Sequence, residues 1–418
     1  MRILLLAEAA NPEWTSVPLV GFHQAAALRQ VADVHVVTQV RNRDALVRAG
    51  WVEGRDFTAI DSERFAGPLH RLASCLGLGA GRAWSLSTGL ASFAYLYFER
   101  LVWRTFGARL AAGEFAAVHR ITPVSPATPS PLARHCRRLG VPFVLGPLNG
   151  GLPWPRGFLA ERWREGEVWS ALRGLRRLLP FARSTLAHAE VILVGSRSAF
   201  ADVPPRFRSR TIAMPENGIH AGAHPEPVAR ARGLPVRFCW AGRIVPCKGL
   251  HLGLEALMPL LRERRAELTV FGDGPERGLL AGMAEAGGVA GQVHFAGWLP
   301  QAELLAQMRT HDAFLFPSIR EFGGGALLEA MACGLYPLVV DYGGPPEICG
   351  DAGFRVPIGP RGAIVTALRA RATELCAAPQ QLEALGRAAW QRAQTFAWSA
   401  KAQFYLDLYT RLARGQSG

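Results

Sequence analysis

Glu321 and Glu329 stand eight positions apart in EFGGGALLEAMACG (321–334), separated by three consecutive glycines, in a chain whose formal charge is +14. Glycines let a main chain approach a ligand closely, and a helix N-terminus offers N–H groups and a partial positive charge. Phosphate oxygens are the natural guests of such a turn. Glu321, ahead of the helix, can lean toward a group attached to the phosphates. Glu329, a turn or so inside it, can accept hydrogen bonds from a sugar hydroxyl. Neither acid is placed like a metal-ligand pair. The counter-charge comes from CWAGRIVPCKGL (239–250), where Gly242 and Arg243 close one apolar run and Lys248 with Gly249 opens the next helix. Arginine supplies a fork of donors and lysine a mobile point charge, both suited to a diphosphate. Lysine is a rare choice in this chain, Lys248 and Lys401 being two among 47 basic residues. The competing reading makes Lys248 a solvated residue at a helix start.

Strand ends must hold these side chains. DAFLFPS reads as a strand and ALLEAMACG as a helix ending at Gly334, so the glycines fall where a strand's carboxyl end turns into a helix, the place where open α/β sheets bind ligands. The same alternation runs through the chain. RILLLAEA, LVGFHQAAALRQV and VHVVTQ predict strand, helix and strand, and FAAVHR, PFVLGPL, AEVILVGS and SRTIAMP continue a parallel doubly wound sheet. A proline- and alanine-rich stretch at 221–235 marks a boundary. Beyond it VRFCWAGRI, ELTVFG, QVHFAGW, DAFLFPS and YPLVVDY alternate with helices, each run nearly all apolar, as expected of strands covered on both faces. Helices are expected at 361–376, 379–394 and 398–414.

A chain of 418 residues with 49% hydrophobic and 19% charged residues is globular and long enough for two domains. Seven scattered cysteines with no C-x-x-C pair suit a reducing compartment. MRILLLAEAANPEW is read as a first strand, because Glu8 interrupts any leader-like apolar run. The basic surplus fits nucleic acid, an anionic membrane surface or a phosphorylated small molecule. No recognisable nucleic-acid module accompanies it, and the arginines are spread over many helices. Residues 86–103 are apolar but carry Glu99 and Arg100, and suit a buried or partly interfacial helix better than a span of about 20 residues. Residues 154–183 interleave Trp154, Trp163 and Trp169 with arginines, a pattern for an interfacial helix on anionic headgroups or for a solvated charged face.

Together GRIVPCKG, ELTVFGDGPER, VHFAGWLPQAELLAQMRTHDAFLFPS, the two-acid segment and VVDYGGPPEI resemble the donor-binding half of retaining GT-B glycosyltransferases of the GT4 family. The resemblance covers residues 236–358 and, more weakly, the whole chain. It implies an α/β fold of two Rossmann-like doubly wound domains facing each other across a cleft. Residues 1–220 would form an acceptor-binding domain onto which a C-terminal helix at 398–418 packs back, and 221–397 a donor-binding domain. It implies transfer of a hexosyl group from a UDP- or GDP-sugar to a hydroxyl acceptor, with no metal or cofactor.

By the same resemblance Arg243 and Lys248 would contact the diphosphate, Glu321 the transferred sugar and Glu329 the ribose. Main-chain groups of Gly323, Gly324, Gly325, Ala326 and Leu327, with Gly242 and Phe322, would approach sugar and phosphates, and Gly272 would line the nucleobase side. Asn217, in ENGIH, matches a turn near the hinge, where His220 replaces a more usual aspartate. Phe322 precedes the glycines, whereas the family commonly has glycine then phenylalanine. In the acceptor half, His119 resembles a histidine at the active-site cleft, a core histidine being the alternative. Asn149 and Gly150, in GPLNGGLPWP, would touch acceptor or sugar. The Trp-Arg segments suggest a lipid-linked acceptor, peripheral contact with the inner face of the plasma membrane, a cytoplasmic setting and a role in surface polysaccharide or glycolipid synthesis. Other readings are a nucleotide-sugar epimerase on the same scaffold, a basic non-catalytic binding protein and a degenerate transferase partner.

Overall fold

The computed structural model describes residues 1–64, 67, 84–166, 181–227 and 233–415. The chain divides into two compact units: Met1–Gly151, Gly166–Glu216 and Trp398–Gly418 make the first, Leu152–Glu165 and Asn217–Ala397 the second.

The first unit is built on a parallel sheet of seven strands: β1 (Arg2–Ala7), β2 (Asp33–Gln39), β3 (Phe57–Ile60), β4 (Ala117–Thr122), β5 (Phe143–Leu148), β6 (Val191–Val194) and β7 (Thr211–Ala213). Their spatial order is β3-β2-β1-β4-β5-β6-β7. In β1, Leu4, Leu5 and Leu6 are all fully buried, because helices cover both faces and no side of the strand meets water. Helices α1 (Val17–Arg29), α2 (Arg43–Arg48), α3 (Trp84–Ala111), α4 (Leu132–Arg138), α5 (Leu159–Arg164), α6 (Ala182–His188) and α7 (Arg197–Asp202) follow in chain order, α5 belonging to the second unit. Tyr95, Phe98, Val102 and Phe106 turn one face of α3 into the core. Among the described residues no helix is long and apolar enough to cross a membrane.

In the second unit β8 (Val236–Ala241), β9 (Ala266–Phe271), β10 (Val293–Gly297), β11 (Ala313–Phe316), β12 (Tyr336–Asp341) and β13 (Phe354–Pro357) form a sheet ordered β10-β9-β8-β11-β12-β13. The chain winds outward from β8 to β10, then returns to place β11 beside β8. That reversal opens a crevice at the carboxyl ends of β8 and β11. Its helices are α8 (Leu250–Arg262), α9 (Arg277–Ala286), α10 (Gln301–Met308), α11 (Gly325–Ala332), α12 (Pro345–Cys349), α13 (Arg361–Ala377) and α14 (Gln381–Gln394). The last helix, α15 (Trp398–Ala413), places Tyr405, Leu408, Tyr409 and Leu412 in the core of the first unit beside Ile3 and Leu5.

The units part at Glu216 and Asn217, ahead of the 221–235 stretch read from sequence. Glu216 is held in the first unit by Asn149, whose Nδ2 donates to both carboxylate oxygens at 2.9 Å. The Ile219 N–H donates to the Phe396 carbonyl at 3.1 Å in the second. Part of the proline-rich stretch, 228–232, lies outside the described residues. Leu152–Glu165 also departs from the simple division, since this segment between β5 and β6 packs into the second unit. Phe158 enters that unit's core, Arg164 pairs with Glu276 at 2.5 Å, and the Tyr342 hydroxyl donates to the Pro153 carbonyl at 2.9 Å.

Candidate nucleotide-sugar site in the second unit

The crevice between β8 and β11 gathers most of the residues singled out by sequence. After β8 the chain passes Gly242 and the exposed Arg243, makes a tight turn at Pro246–Lys248, and enters α8 through Gly249. Gly249 has φ +65°, and a Cβ there would lie 2.0 Å from the Pro317 carbonyl oxygen, so only glycine lets the loop after β8 lie against the loop after β11. The Ile319 N–H donates to the Cys247 carbonyl at 3.0 Å and ties the two loops again.

That tie brings Lys248 to Glu321, and the two form an ion pair. Their side chains are 25% and 13% exposed, so the pair is shielded yet reachable. Burial alone would lower the Lys248 pKa; Glu321 and neighbouring groups outweigh it and hold the ammonium charged. The Gly324 N–H points at Glu321 Oε1 from 3.4 Å. Gly324 is left-handed (φ +64°) at the N-cap of α11 and offers no side-chain cap. The Leu328 N–H donates to the Gly324 carbonyl at 3.1 Å, so the N–H groups of Gly325, Ala326 and Leu327 precede the helical ladder. The Leu327 side chain is in the core, leaving only its main chain for a ligand. Asn217 joins this cluster, since a Cβ on Gly325 would sit 3.4 Å from its Oδ1.

Glu329 lies one turn further along α11, partly buried, and accepts from Gln301 Nε2 at 2.8 Å. Desolvation raises its pKa, and the Gln301 amide opposes the rise. Gly272 serves the scaffold in a specific way: at φ +125°, a Cβ would lie 1.9 Å from the Gly242 carbonyl oxygen, so the ends of β8 and β9 touch through it. Phe322 lies 5.2 Å from the guanidinium of the buried Arg320, which also stands 5.3 Å from the Trp154 ring. Among the described residues no cluster of His, Cys, Asp and Glu could hold a metal ion.

The first unit corrects two expectations. His119 is a core residue at 0% exposure, not a cleft residue. It lies mid-strand in β4, paired in register with Leu5 and Val144, three positions short of the carboxyl end. Its Nε2 donates to the Gly146 carbonyl at 2.7 Å, and its Nδ1 accepts from the Tyr409 hydroxyl at 2.5 Å. Burial lowers its pKa to about 3, so it is a neutral strut. Asn149 is likewise a buried brace: besides Glu216, its Oδ1 accepts from Ser196 Oγ at 3.1 Å and from the Gly150 N–H at 2.9 Å. Gly150 follows it at φ +117°. The Trp-Arg segment also resolves differently. Trp154 packs on the core of the second unit, Trp163 is 67% exposed, and Trp169 lies outside the described residues.

Sequence reading missed Gln301, Arg320 and Glu165. Gln301 had a faint signal, standing three residues past the exposed Trp298 at the end of β10. The other two depend on how the segment between β5 and β6 packs, Glu165 lying at its end and Arg320 binding its start, which no periodicity foretells.

Residues 235–374 match the family described as Glycosyl transferases group 1, a range that holds Gly242, Arg243, Lys248, Gly272, Glu321 and Glu329. The matched range lies within the second unit. Glycogen synthase of Mycobacterium tuberculosis (strain ATCC 25618 / H37Rv) is 31% identical over 207 residues, 49% of this chain and 50% of that protein. A D-inositol 3-phosphate glycosyltransferase of Streptomyces bingchenggensis is 32% identical over 311 residues, 64% of this chain and 66% of that protein. The chain spans about half the length of the first of these relatives. Among solved structures, Anabaena Alr3699/HepE in complex with UDP aligns with TM-score 0.64 at 15% identity, covering 98% of this chain and all of that one. The two Rossmann-like α/β units are those of the GT-B glycosyltransferase fold.

Proposed function

We propose that the protein is a glycosyltransferase that moves a hexosyl group from a UDP- or GDP-sugar to a hydroxyl acceptor with retained anomeric configuration. The observation that carries this reading is the Lys248–Glu321 ion pair set beside the N-terminus of α11 at the carboxyl ends of β8 and β11, with Arg243 in the same loop after β8. As the sugar–phosphate bond breaks, negative charge grows on the diphosphate, and cations with fixed amide dipoles stabilise it there. Lys248 and Arg243 take that role, Glu321 holds the sugar, and Glu329, with Gln301 behind it, grips the ribose. The same leaving diphosphate accepts the acceptor's proton, so no side-chain nucleophile is assigned. Acceptor binding falls to the first unit, whose sheet has its own reversal between β1 and β4.

The proposed acceptor is lipid-linked, on the cytoplasmic face of a membrane, in surface polysaccharide or glycolipid synthesis. Leu159 and Trp163, one helical turn apart on α5, are 65% and 67% exposed beside Arg156 and Arg162, which suits an anionic headgroup layer.

A thermal-shift screen against UDP- and GDP-sugars tests the donor, since a ligand at 100 times its Kd stabilises by about 2.7 kcal/mol. NMR of the product's anomeric proton then reads the configuration. No shift with any UDP- or GDP-sugar, or an inverted product, overturns the reading.

A further inference from the structure

The segment Leu152–Glu165 leaves the first unit between β5 and β6 and is bound into the second at both of its ends. At one end Arg320 Nε donates to the Leu152 carbonyl at 3.0 Å, with the guanidinium flanked by the Trp154 and Phe322 rings at 5.3 and 5.2 Å. At the other end the Cys247 N–H donates to Glu165 Oε2 at 3.1 Å, and the Cys247 thiol donates to Glu165 Oε1 at 3.5 Å. Arg320 immediately precedes Glu321, and Cys247 immediately precedes Lys248. The two ends of one strap therefore hold the residue one position upstream of each member of the Lys248–Glu321 pair, Cys247 by its backbone N–H and Arg320 by its side chain. Between them Phe158 is buried in the unit's core at 2% exposure and Arg164 pairs with Glu276, so the strap is anchored along its length.

Arg320 is an unusual residue to bury, at 7% exposure, for the sake of one carbonyl. Its planar guanidinium can stack on two rings while its Nε keeps a fixed hydrogen bond, a geometry lysine cannot copy. Glu165 is equally specific, because a carboxylate so close to Lys248 competes with a phosphate for the same cation. The acid is retained where its two oxygens fix the Cys247 backbone and thiol.

We infer that Arg320 and Glu165 are positioning residues for the diphosphate subsite: the strap sets the angle at which Lys248 and Glu321 present their charges. This rests on the donor-site reading proposed above. The diphosphate, which reaches Lys248, is sensitive to the strap; the nucleoside and its first phosphate, held elsewhere along the crevice, are less so. The ratio of Kd for a nucleoside monophosphate to that for the diphosphate therefore reports positioning, whereas general loosening of the fold weakens both alike.

The experiment is calorimetric titration of the full chain with UMP and UDP, and with GMP and GDP, for wild type, Glu165→Ala, Glu165→Gln and Arg320→Lys, each checked for a cooperative melt. Glu165→Ala and Arg320→Lys are expected to weaken diphosphate binding about tenfold, the equivalent of one net hydrogen bond, and monophosphate binding less than threefold. Glu165→Gln keeps an acceptor and sheds the competing charge, so it should bind the diphosphate at least as tightly as wild type. If Glu165→Ala and Arg320→Lys leave the ratio at its wild-type value, the strap does not position the subsite, even though the donor-site reading stands. If wild type binds neither diphosphate, the donor-site reading fails and this inference fails with it.

Discussion

Lys248→Ala separates a charge that works in the reaction from one that merely braces the fold. On the structural side, the substitution removes one charge-assisted hydrogen bond to Glu321 and a contact 5.9 Å above the Phe316 ring. A charge-assisted bond contributes about 1.5–3 kcal/mol and an accessible cation–π contact about 0.5–1 kcal/mol. Two offsets reduce the sum. A quarter of the lysine side chain is exposed, which screens the pair, and the desolvation that opposes the buried ammonium disappears with it. A net loss of about 1–2 kcal/mol follows, or a fall of about 2–8 °C in the melting of a unit of this size. On the catalytic side, losing a donor aimed at developing charge costs about 2.7–4 kcal/mol of transition-state stabilisation, a drop of about 100- to 1000-fold in kcat. Initial rates with the nucleotide sugar found in the screen, at a temperature well below the variant's melt, read the second effect free of the first. A variant that melts early yet keeps kcat within about fivefold of wild type would reduce Lys248 to a brace for Glu321 and remove the central cation from the proposed mechanism.

Three other perturbations bear on neighbouring claims. His119 has its pKa lowered from 6.5 to about 3 by burial, so the unfolded chain takes up the proton first and stability is lost as pH falls from 6.5 toward 3. The slope is at most about 1.4 kcal/mol per pH unit; in His119→Gln, urea midpoints between pH 6 and 5 should lose that share of the slope while kcat stays within about threefold, and an unchanged slope contradicts the assignment. Gln301→Leu removes the donor that opposes the raised pKa of Glu329. The acid limb of donor binding should then move to higher pH and KM should rise about fivefold, for a bond worth about 1 kcal/mol; a KM–pH profile superimposable on wild type would detach Gln301 from the ribose. Gly344→Ala would place a Cβ 2.0 Å from the Phe322 carbonyl oxygen, backbone against backbone. Differential scanning calorimetry should register a loss of about 1–3 kcal/mol, and UDP should rescue the melt less than in wild type; an unaltered melt would mean that this loop yields freely.

The strands of both sheets were legible because parallel strands buried on two faces must be apolar throughout, and LLL in β1 or FCWA in β8 has no other reading. The two strands absent from the sequence reading are FTAI (Phe57–Ile60) and FRVP (Phe354–Pro357), each four residues long at a sheet edge with intermediate or exposed positions. An edge strand has one neighbour and needs less apolar surface, so its signal sinks below that of a loop. The crevice residues were legible for a related reason: glycines, a rare lysine and paired acids cluster at strand ends because chemistry there overrides propensity. His119 shows where that reasoning stops. A histidine near the end of an apolar run points to a site only if it lies beyond the last paired residue, and register is set by neighbours distant in sequence. The same limit hid the strap, whose tryptophans and arginines have the spacing of an interfacial helix while Trp154 is in fact spent on Arg320.

The pairing of Lys248 with Glu321 answers why a basic chain keeps an acid at this turn. An unpartnered ammonium in a half-buried crevice would be driven toward its neutral form by desolvation, and the direction of its shift shows that Glu321 with its neighbours prevents this. An incoming diphosphate carries more negative charge than a carboxylate and also receives the N–H groups at the start of α11, so in the proposed reaction it competes for the lysine on favourable terms. Glu321 is then released from the cation at the moment a sugar hydroxyl arrives to replace it. In that proposal one carboxylate keeps the lysine charged while it waits and would grip the sugar once the lysine has turned to phosphate. The exchange needs both side chains to swing only slightly from a fixed backbone, and that backbone is held by Gly249 against Pro317, by Cys247 against Ile319, and by the strap at Cys247 and Arg320. Rigid loops with one mobile ion pair are what pre-organised charge stabilisation requires, because energy not spent on reordering the loops remains for the transition state.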